Sequence, residues 1–403
     1  MRKAATTILV MLSITIWAST GLAKKAKGRK AKKAKEAVVM TVGQPISLER
    51  RKETPSFVKA KLRIMDRGNL VYVGKGMWQE QERFILRQLD DGKEVELKAP
   101  LAEFFAAHPE TFPAAEGTGF PDYFVEKLLF VDREGLRAGI HLVKKERKKK
   151  RYSHYHLGWD MKNNVIDRFD LLGVRDKKTV RLLSVMPIAY RPVQKEIILQ
   201  VQAWRQTNDE SKINDQKLIG FAPDAKREIA SWTTKLDARR NFLDSDGKRV
   251  LIVEYAEQGS AGPLPSGHVL DLETGAKQSF PVPVTSYGAT FTPDGKKLYV
   301  YSNQARIIWI IDLASGKKIK QVKVGGGGHA LAWGPAGRVM LLAHRGLTFL
   351  DPKKLTRRQF FPTAKVFSGR AWIPGSVLTK NQAIMRNGKE LVIVQLRKKE
   401  TQP

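Results

Sequence analysis

The sequence predicts an all-β fold, a single β-propeller of about seven four-stranded blades. The segment Tyr287–His344 contains four strand-like runs separated by turns, followed by the first half of a second copy. The turn glycines Gly247, Gly295, Gly337 and Gly388 are separated by 48, 42 and 51 residues. Periods of about 40–50 residues built from four strands are typical of propeller blades.

The strands of the clearest blade follow from alternation and turn chemistry. Ala289–Thr292 is a short apolar run that ends in a Pro-Asp-Gly turn at 293–295, where glycine can take a positive φ. Lys297–Ser302 alternates in polarity, and Ile307–Leu313 is rich in β-branched residues. Lys318–Val324 alternates again before four glycines. The segment therefore predicts one complete blade.

Three runs in this segment carry a family resemblance: LYVYSN (298–303), IIDL (310–313) and VKVGGGGHALAWGP (322–335). They resemble the YVTN family of bacterial, exported propeller repeats, whose units contain a Tyr-Val-Thr-Asn-like strand, a Val-Ile-Asp strand and an Ile-x-Val-Gly strand. The resemblance is strong over 287–344, departing at residues 300–303 and at the glycines. It implies a WD40-like propeller fold more firmly than any activity.

Earlier blades are looser, and the last one is short of strands. After Asn387–Lys389 only Glu390–Leu396 remains before the charged end of the chain. The N-terminal strand Val38–Val42 would complete this blade and cover two exposed sheet edges. We therefore expect the propeller domain, residues 37–403, to close by pairing its N-terminal strand into the last blade.

The proline-containing segment 99–121 does not fit the blade period. Leu101–Ala107 is predicted to form a short helix, with Glu103 exposed and Phe104 and Phe105 packed, before His108-Pro109 ends it. The segment is an insertion between blades or, alternatively, a lid over the channel.

Residues 1–23 have the order of a secretory signal peptide: basic residues, an apolar run from Ile8 to Trp17, and small residues ending at Ala23. An uncleaved membrane anchor is the alternative. Residues 24–36 form a basic tail that we expect to be disordered, either an electrostatic tether or a solubilising linker. We expect a periplasmic, secreted or cell-surface monomer whose mature chain has no transmembrane span.

The chain contains no cysteine and has a formal net charge of +32. Disulfides, thiol nucleophiles, Cys-ligated metals and covalent c-type haem are thereby excluded. Such basicity attracts polyanions with strong salt dependence, although export argues against nucleic acid. The predicted polyanion-binding residues lie on one hairpin tip: Lys144, Lys145, Arg147, Lys148, Lys149, Lys150 and Arg151.

The predicted ligand-binding residues are His329 and Tyr287, each four residues before an aromatic residue in its repeat. Both lie where an innermost strand begins, near a mouth of the central channel, and such sites commonly bind ligands. The glycines at 325–328 are not followed by a helical pattern, so they predict a connection between blades and not a phosphate loop.

No motif predicts a catalytic residue, a metal site or a cofactor. His154 and His156 share one face of a strand, but a metal would need a third ligand, and we expect an exposed strand. The repeated Asp271, Asp312 and Asp351 are expected to accept backbone N–H bonds in turns.

The predicted function is that of an exported, non-enzymatic propeller that binds or scaffolds a protein or polyanion. The partner would be another envelope protein or an anionic polymer such as lipopolysaccharide or a wall polymer. The alternative is a propeller enzyme or cofactor-binding oxidoreductase with its site at the channel mouth.

Overall fold

The structure is a computed structural model. It describes residues 38–47, 64–65, 70–75, 82–113, 122–146, 150–176, 178–206, 212–244, 246–255, 264–325, 327–343, 345–362, 377–378, 381–387 and 390–399. The signal peptide and the basic tail expected at residues 1–36 lie outside these ranges.

Seven antiparallel sheets follow one another along the chain, and we number them as blades 1 to 7. Blade 1 consists of β3 Ile64–Met65, β4 Leu70–Lys75, β5 Arg83–Gln88 and β6 Glu94–Lys98. Blade 2 consists of β7 Tyr123–Asp132, β8 Arg137–Glu146, β9 Arg151–Asp160 and β10 Val165–Asp176. Blade 3 consists of β11 Val180–Arg191, β12 Glu196–Gln206, β13 Lys212–Phe221 and β14 Lys226–Thr234. 

Blades 4 to 7 consist of β15 Asp237–Leu243, β16 Arg249–Tyr255, β17 Ser266–Asp271 and β18 Lys277–Pro281; β19 Ser286–Phe291, β20 Lys297–Ser302, β21 Ile307–Asp312 and β22 Lys318–Lys323; β23 Gly328–Trp333, β24 Val339–Ala343, β25 Gly346–Leu350 and β26 Arg357–Pro362; and β27 Val377–Leu378, β28 Gln382–Asn387 and β29 Glu390–Lys398 with β1 Val38–Val42. A short strand, β2 Ile46–Ser47, also pairs with β29.

The N-terminal strand closes the ring, as the sequence predicted. β1 pairs antiparallel with β29, in a register that runs from Val38 opposite Lys398 to Val42 opposite Val394. The all-β fold of seven blades is therefore confirmed. One equivalence in the prediction was wrong. Gly388 itself lies outside the described residues, but its place in the sequence is between β28 and β29, the second and third strands of blade 7. Gly247 lies between β15 and β16, the first and second strands of blade 4. The mismatch arises because two strands of blade 7, β27 and β28, precede residue 388, whereas only β15 precedes Gly247 in blade 4.

The core is distributed between the blades. From blade 1 to blade 7 the first strand of each blade neighbours the first strand of the next, as expected for strands that surround a central channel. Among the described residues there are seven apolar clusters, one in each gap between neighbouring blades. The last gap is filled by Ile46, Leu89 and Ile393, which join blade 7 to blade 1.

A helix, α1, spans Leu101–Ala107, the segment for which the sequence predicts one. Glu103 is exposed, whereas Leu101 and Phe104 are buried in the cluster between blades 1 and 2. The ring of Phe104 lies 5.6 Å from that of Phe169 on β10, the outermost strand of blade 2. The helix therefore fills the gap between two blades and does not cover the channel.

Cationic side chains also bridge neighbouring blades. The guanidinium of Arg227 in blade 3 donates to the backbone oxygen of Leu272 in blade 4 at 2.6 Å. In the same way Arg249 reaches Gly295 of blade 5 at 3.1 Å, and Lys226 reaches Leu171 of blade 2 at 3.1 Å. Charge-assisted bonds of this kind are stronger than neutral ones. Part of the basic composition is thus structural.

Candidate functional site: the channel mouth and the outer rim

The predicted ligand position at Tyr287 lies at the start of β19, on the first strand of blade 5. The register slips between Ser286 and Gly288, so Tyr287 is the extra residue of a β-bulge. The Arg240 guanidinium of blade 4 lies 3.8 Å from the centroid of the Tyr287 ring, a cation–π contact. The Tyr255 ring is 6.1 Å away, nearly perpendicular.

His329 occupies the equivalent place on β23. The register of that strand slips between Gly328 and Ala330, which makes His329 a bulge residue as well. The strand is fixed just before it, because the Gly328 N–H donates to the Tyr301 hydroxyl at 2.8 Å. The side chain of His329 lies outside the described part of the structure, so its role as a ligand contact stays a prediction.

The described residues of the predicted polyanion hairpin lie at the same end of the ring. Tyr123, the first residue of β7, pairs with Lys144, so the end of β8 and the beginning of β9 lie where the first strand starts. Lys150 is exposed, and Arg151 forms an ion pair with Asp176 at 2.9 Å. Arg147, Lys148 and Lys149 lie outside the described residues.

A second cationic surface covers the outer edge of blades 5 and 6, and we call it the 5–6 rim. It comprises eight exposed residues on β22, on β26 and in the turns before them: Lys317, Lys318, Lys320, Lys323, Lys353, Lys354, Arg357 and Arg358. The two blades meet here, because the Lys320 ammonium donates to the backbone oxygen of Lys353 at 3.0 Å. Residues 353–358 form a basic run in the sequence, but no local pattern indicates that residues 317–323 lie beside it.

The carboxylates within the 5–6 rim accept hydrogen bonds from backbone groups of their own turns. Asp312 accepts from the Ser315 N–H at 2.9 Å, and Asp351 accepts from the Lys353 and Lys354 N–H groups at 3.0 and 2.9 Å. These backbone bonds and Arg358 lower the pKa of Asp351 to about 2. The expectation that the repeated aspartates have structural roles is confirmed.

The strand containing His154 and His156 is buried, so the expectation of an exposed strand was wrong. The two residues are 8% and 2% exposed, because blade 3 packs on this face and Phe221 lies 4.6 Å from the His156 ring. His141 comes from the neighbouring strand, and its Nε2 is 3.0 Å from Nδ1 of His154. Within the described residues, no group of three potential ligands is arranged to hold a metal ion.

Burial controls the protonation of these imidazoles. It lowers the pKa of His154 to about 4 and that of His156 to about 3, assisted by nearby cations such as Arg175 and Arg168 respectively. Both rings are therefore neutral at physiological pH.

Comparison with known proteins supports the fold alone. No family model matches the chain, and no curated protein does. A chain in the crystal structure of the mitotic checkpoint complex matches with 12% identity and a TM-score of 0.50, covering 94% of this chain and 99% of that one. The Saccharomyces cerevisiae Sqt1 structure matches with 8% identity and a TM-score of 0.41, covering 83% and 96%.

A gluconolactonase from Xanthomonas campestris matches with 11% identity and a TM-score of 0.34, covering 54% of this chain and 91% of that chain. The chain therefore has a β-propeller fold built from four-stranded blades. In the described part of the chain no helix has both the length and the apolar composition needed to cross a membrane.

Proposed function

We propose that the protein is an exported scaffold that binds an anionic polymer of the cell envelope through the 5–6 rim. The observation that carries the proposal is the set of eight exposed cations on two adjoining blades. Such a surface holds a polyanion through many weak contacts without recognising a sequence of subunits. We also propose that the repeats are of the YVTN type, on the strength of residues 287–344.

The charge of the 5–6 rim is distinctive when the outermost strands are compared. β6 contains two glutamates and one lysine, and β10 contains three aspartates and two arginines. β22 contains three lysines and β26 two arginines, and neither contains an acidic residue. The remaining outermost strands, β1, β14 and β18, contain at most two cations each. Among the outermost strands, the net positive charge is therefore largest on those of blades 5 and 6.

Protection of sheet edges does not account for this charge by itself. Lysines on an outermost strand discourage pairing with another chain. Lys317, Lys353 and Lys354, however, lie in turns and not on an edge. Apolar groups accompany the cations, since Ile319 is 52% and Phe360 40% exposed. Edge lysines alone would not require apolar neighbours or charged turns.

The test is binding of the full exported chain to immobilised heparin and to dextran sulfate, with neutral dextran as a reference, over a range of salt concentrations. Replacing Lys318, Lys320, Lys353 and Lys354 with glutamine should lower the slope of log affinity against log salt by about one unit for each lost contact. The matched control replaces four exposed lysines elsewhere: Lys93, Lys162, Lys235 and Lys296.

Equal losses in the two quadruple variants would refute the 5–6 rim as the binding surface. A variant lacking residues 24–35 measures the contribution of the basic tail, and it should leave the difference between the two variants unchanged. If acidic proteins bind and sulfated polymers do not, the partner is a protein. Export is tested separately by finding the chain in the envelope fraction with a new N-terminus after Ala23.

A further inference from the structure

Three hydrogen-bonded side chains cross the outer half of blade 4. Ser279 on β18 lies 2.8 Å from His268 on β17, measured from Oγ to Nδ1. The Nε2 of the same imidazole lies 3.1 Å from Oε1 of Glu254 on β16. Serine, imidazole and carboxylate in this order form the arrangement that activates a hydroxyl as a nucleophile.

The contacts of Glu254 keep its carboxylate ionised. Burial alone would raise its pKa, but hydrogen bonds from His268, Thr234 and the Ser266 N–H bring the pKa below its usual value. The backbone bond from Ser266 to Oε2 measures 3.0 Å. The carboxylate beside Nε2 favours the tautomer with its proton on Nε2, which leaves the lone pair of Nδ1 to accept from Ser279.

Ser279 is an exposed residue, whereas its two partners are covered. The side chains of His268 and Glu254 are 8% and 10% exposed. This contrast fits a nucleophile that can meet a substrate while its base is held in place.

Two further groups border the site. Trp232 of blade 3 has its ring 5.4 Å from that of His268, and its buried Nε1 has no hydrogen-bond partner among the described residues. Lys277 precedes Ser279 by two residues and so shares its face of the strand, with its ammonium 5.6 Å from the Trp232 ring. An aromatic ring beside His268 and a cation on the strand face of Ser279 therefore border the three hydrogen-bonded side chains.

We propose that Ser279 is the nucleophile of an acyl-transfer site that hydrolyses carboxylic esters bearing a nearby negative charge. Ser279 Oγ bonds to the ester carbonyl carbon while its proton passes to His268 Nδ1. The bond from that carbon to the leaving oxygen then breaks, and the leaving oxygen takes the proton. Water releases the acid by the same two steps. Lys277 binds the negative charge, and Glu254 is a positioning residue.

The proposed acyl-transfer site shares no residue with the 5–6 rim. Each proposal can therefore be refuted while the other is supported. The first measurement is labelling of the full chain with a fluorophosphonate probe, followed by mass spectrometry. Ser315 is the internal control, because its exposed hydroxyl donates to Asp312 at 2.8 Å. Ser279 should be labelled at least about 100-fold faster, the usual minimum contribution of a positioned base.

Variants separate catalysis from structure. Ser279→Ala should abolish both labelling and hydrolysis of p-nitrophenyl esters, whereas Ser315→Ala should change neither. His268→Gln should lower the labelling rate about 10²- to 10⁴-fold. Lys277→Ala should slow hydrolysis of the p-nitrophenyl hemisuccinate but not of the acetate. Glu254→Gln should lower kcat, and Glu254→Asp should recover part of the loss, which a purely structural role would not predict.

Equal labelling of Ser279 and Ser315 would overturn the proposal. So would an unchanged labelling rate in a folded His268→Gln chain, with folding checked by circular dichroism. Should that variant not fold, Ser279→Ala decides alone, because it removes a single oxygen from an exposed residue. Hydrolysis that persists in folded Ser279→Ala would then refute the assignment.

Discussion

The carboxamide of Gln359 connects blade 6 to the strand that closes the ring. Its Nε2 donates to the Val38 oxygen at 2.9 Å, and its Oε1 accepts from the Val38 N–H at 3.2 Å. Gln359→Ala removes both bonds at once. Because each is worth about 0.5–1.5 kcal/mol net, the free energy of unfolding should fall by about 1–3 kcal/mol.

The measurement is urea unfolding followed by circular dichroism, together with amide hydrogen exchange of β1. Gln321→Ala is the matched control, since Gln321 is exposed on the neighbouring outermost strand and only accepts one long bond, 3.4 Å, from Lys318. Gln321→Ala should lower the free energy of unfolding by less than about 0.5 kcal/mol. Equal losses in the two variants, with unchanged exchange in β1, would refute the idea that Gln359 holds the closing strand.

Three further predictions concern the blades themselves. The folded-state pKa values of His154 and His156, about 4 and about 3, lie below the ordinary 6.5, so the unfolded chain binds more protons. Stability should therefore fall as pH falls from about 7 to 5, by about 4 kcal/mol for both residues together, and a double glutamine variant should flatten this dependence. Gly288→Ala should lower the free energy of unfolding in urea by about 1–3 kcal/mol, because the new Cβ would lie 2.7 Å from the Leu331 nitrogen. Gly325→Ala is the control and should leave stability unchanged, because no atom lies within 4 Å of the position of its Cβ. Tyr301→Phe should cost about 1–3 kcal/mol by leaving the Gly328 N–H unpaired, measured in the same way.

The fold was accessible from the sequence because propeller blades repeat local patterns. Alternation, Asp-Gly turns and their spacing are properties of short segments, and they predicted the strands and the closure by Val38–Val42. The burial of His154 and His156 could not be predicted from the sequence. Their strand reads as polar, and only the packing of Phe221 from another blade shows that this face is covered.

The candidate sites were less predictable than the fold because each depends on residues distant in sequence. The 5–6 rim needs Lys320 and Lys353 to meet across two blades, which no local pattern encodes. The Ser279 site needs three different strands in one register, and the sequence around His268 resembles no catalytic motif. Tyr287 was placed correctly on an innermost strand because its repeat supplied the frame.

The partly buried bridges from Arg227 and Arg249 to backbone oxygens of neighbouring blades affect how this protein responds to ionic strength. Salt screens charges that face solvent, but it weakens partly buried hydrogen bonds much less. A high-salt wash that removes a bound polyanion should therefore leave the ring folded. The formal charge of +32 overstates what a partner can meet, since some of these cations already have partners within the protein.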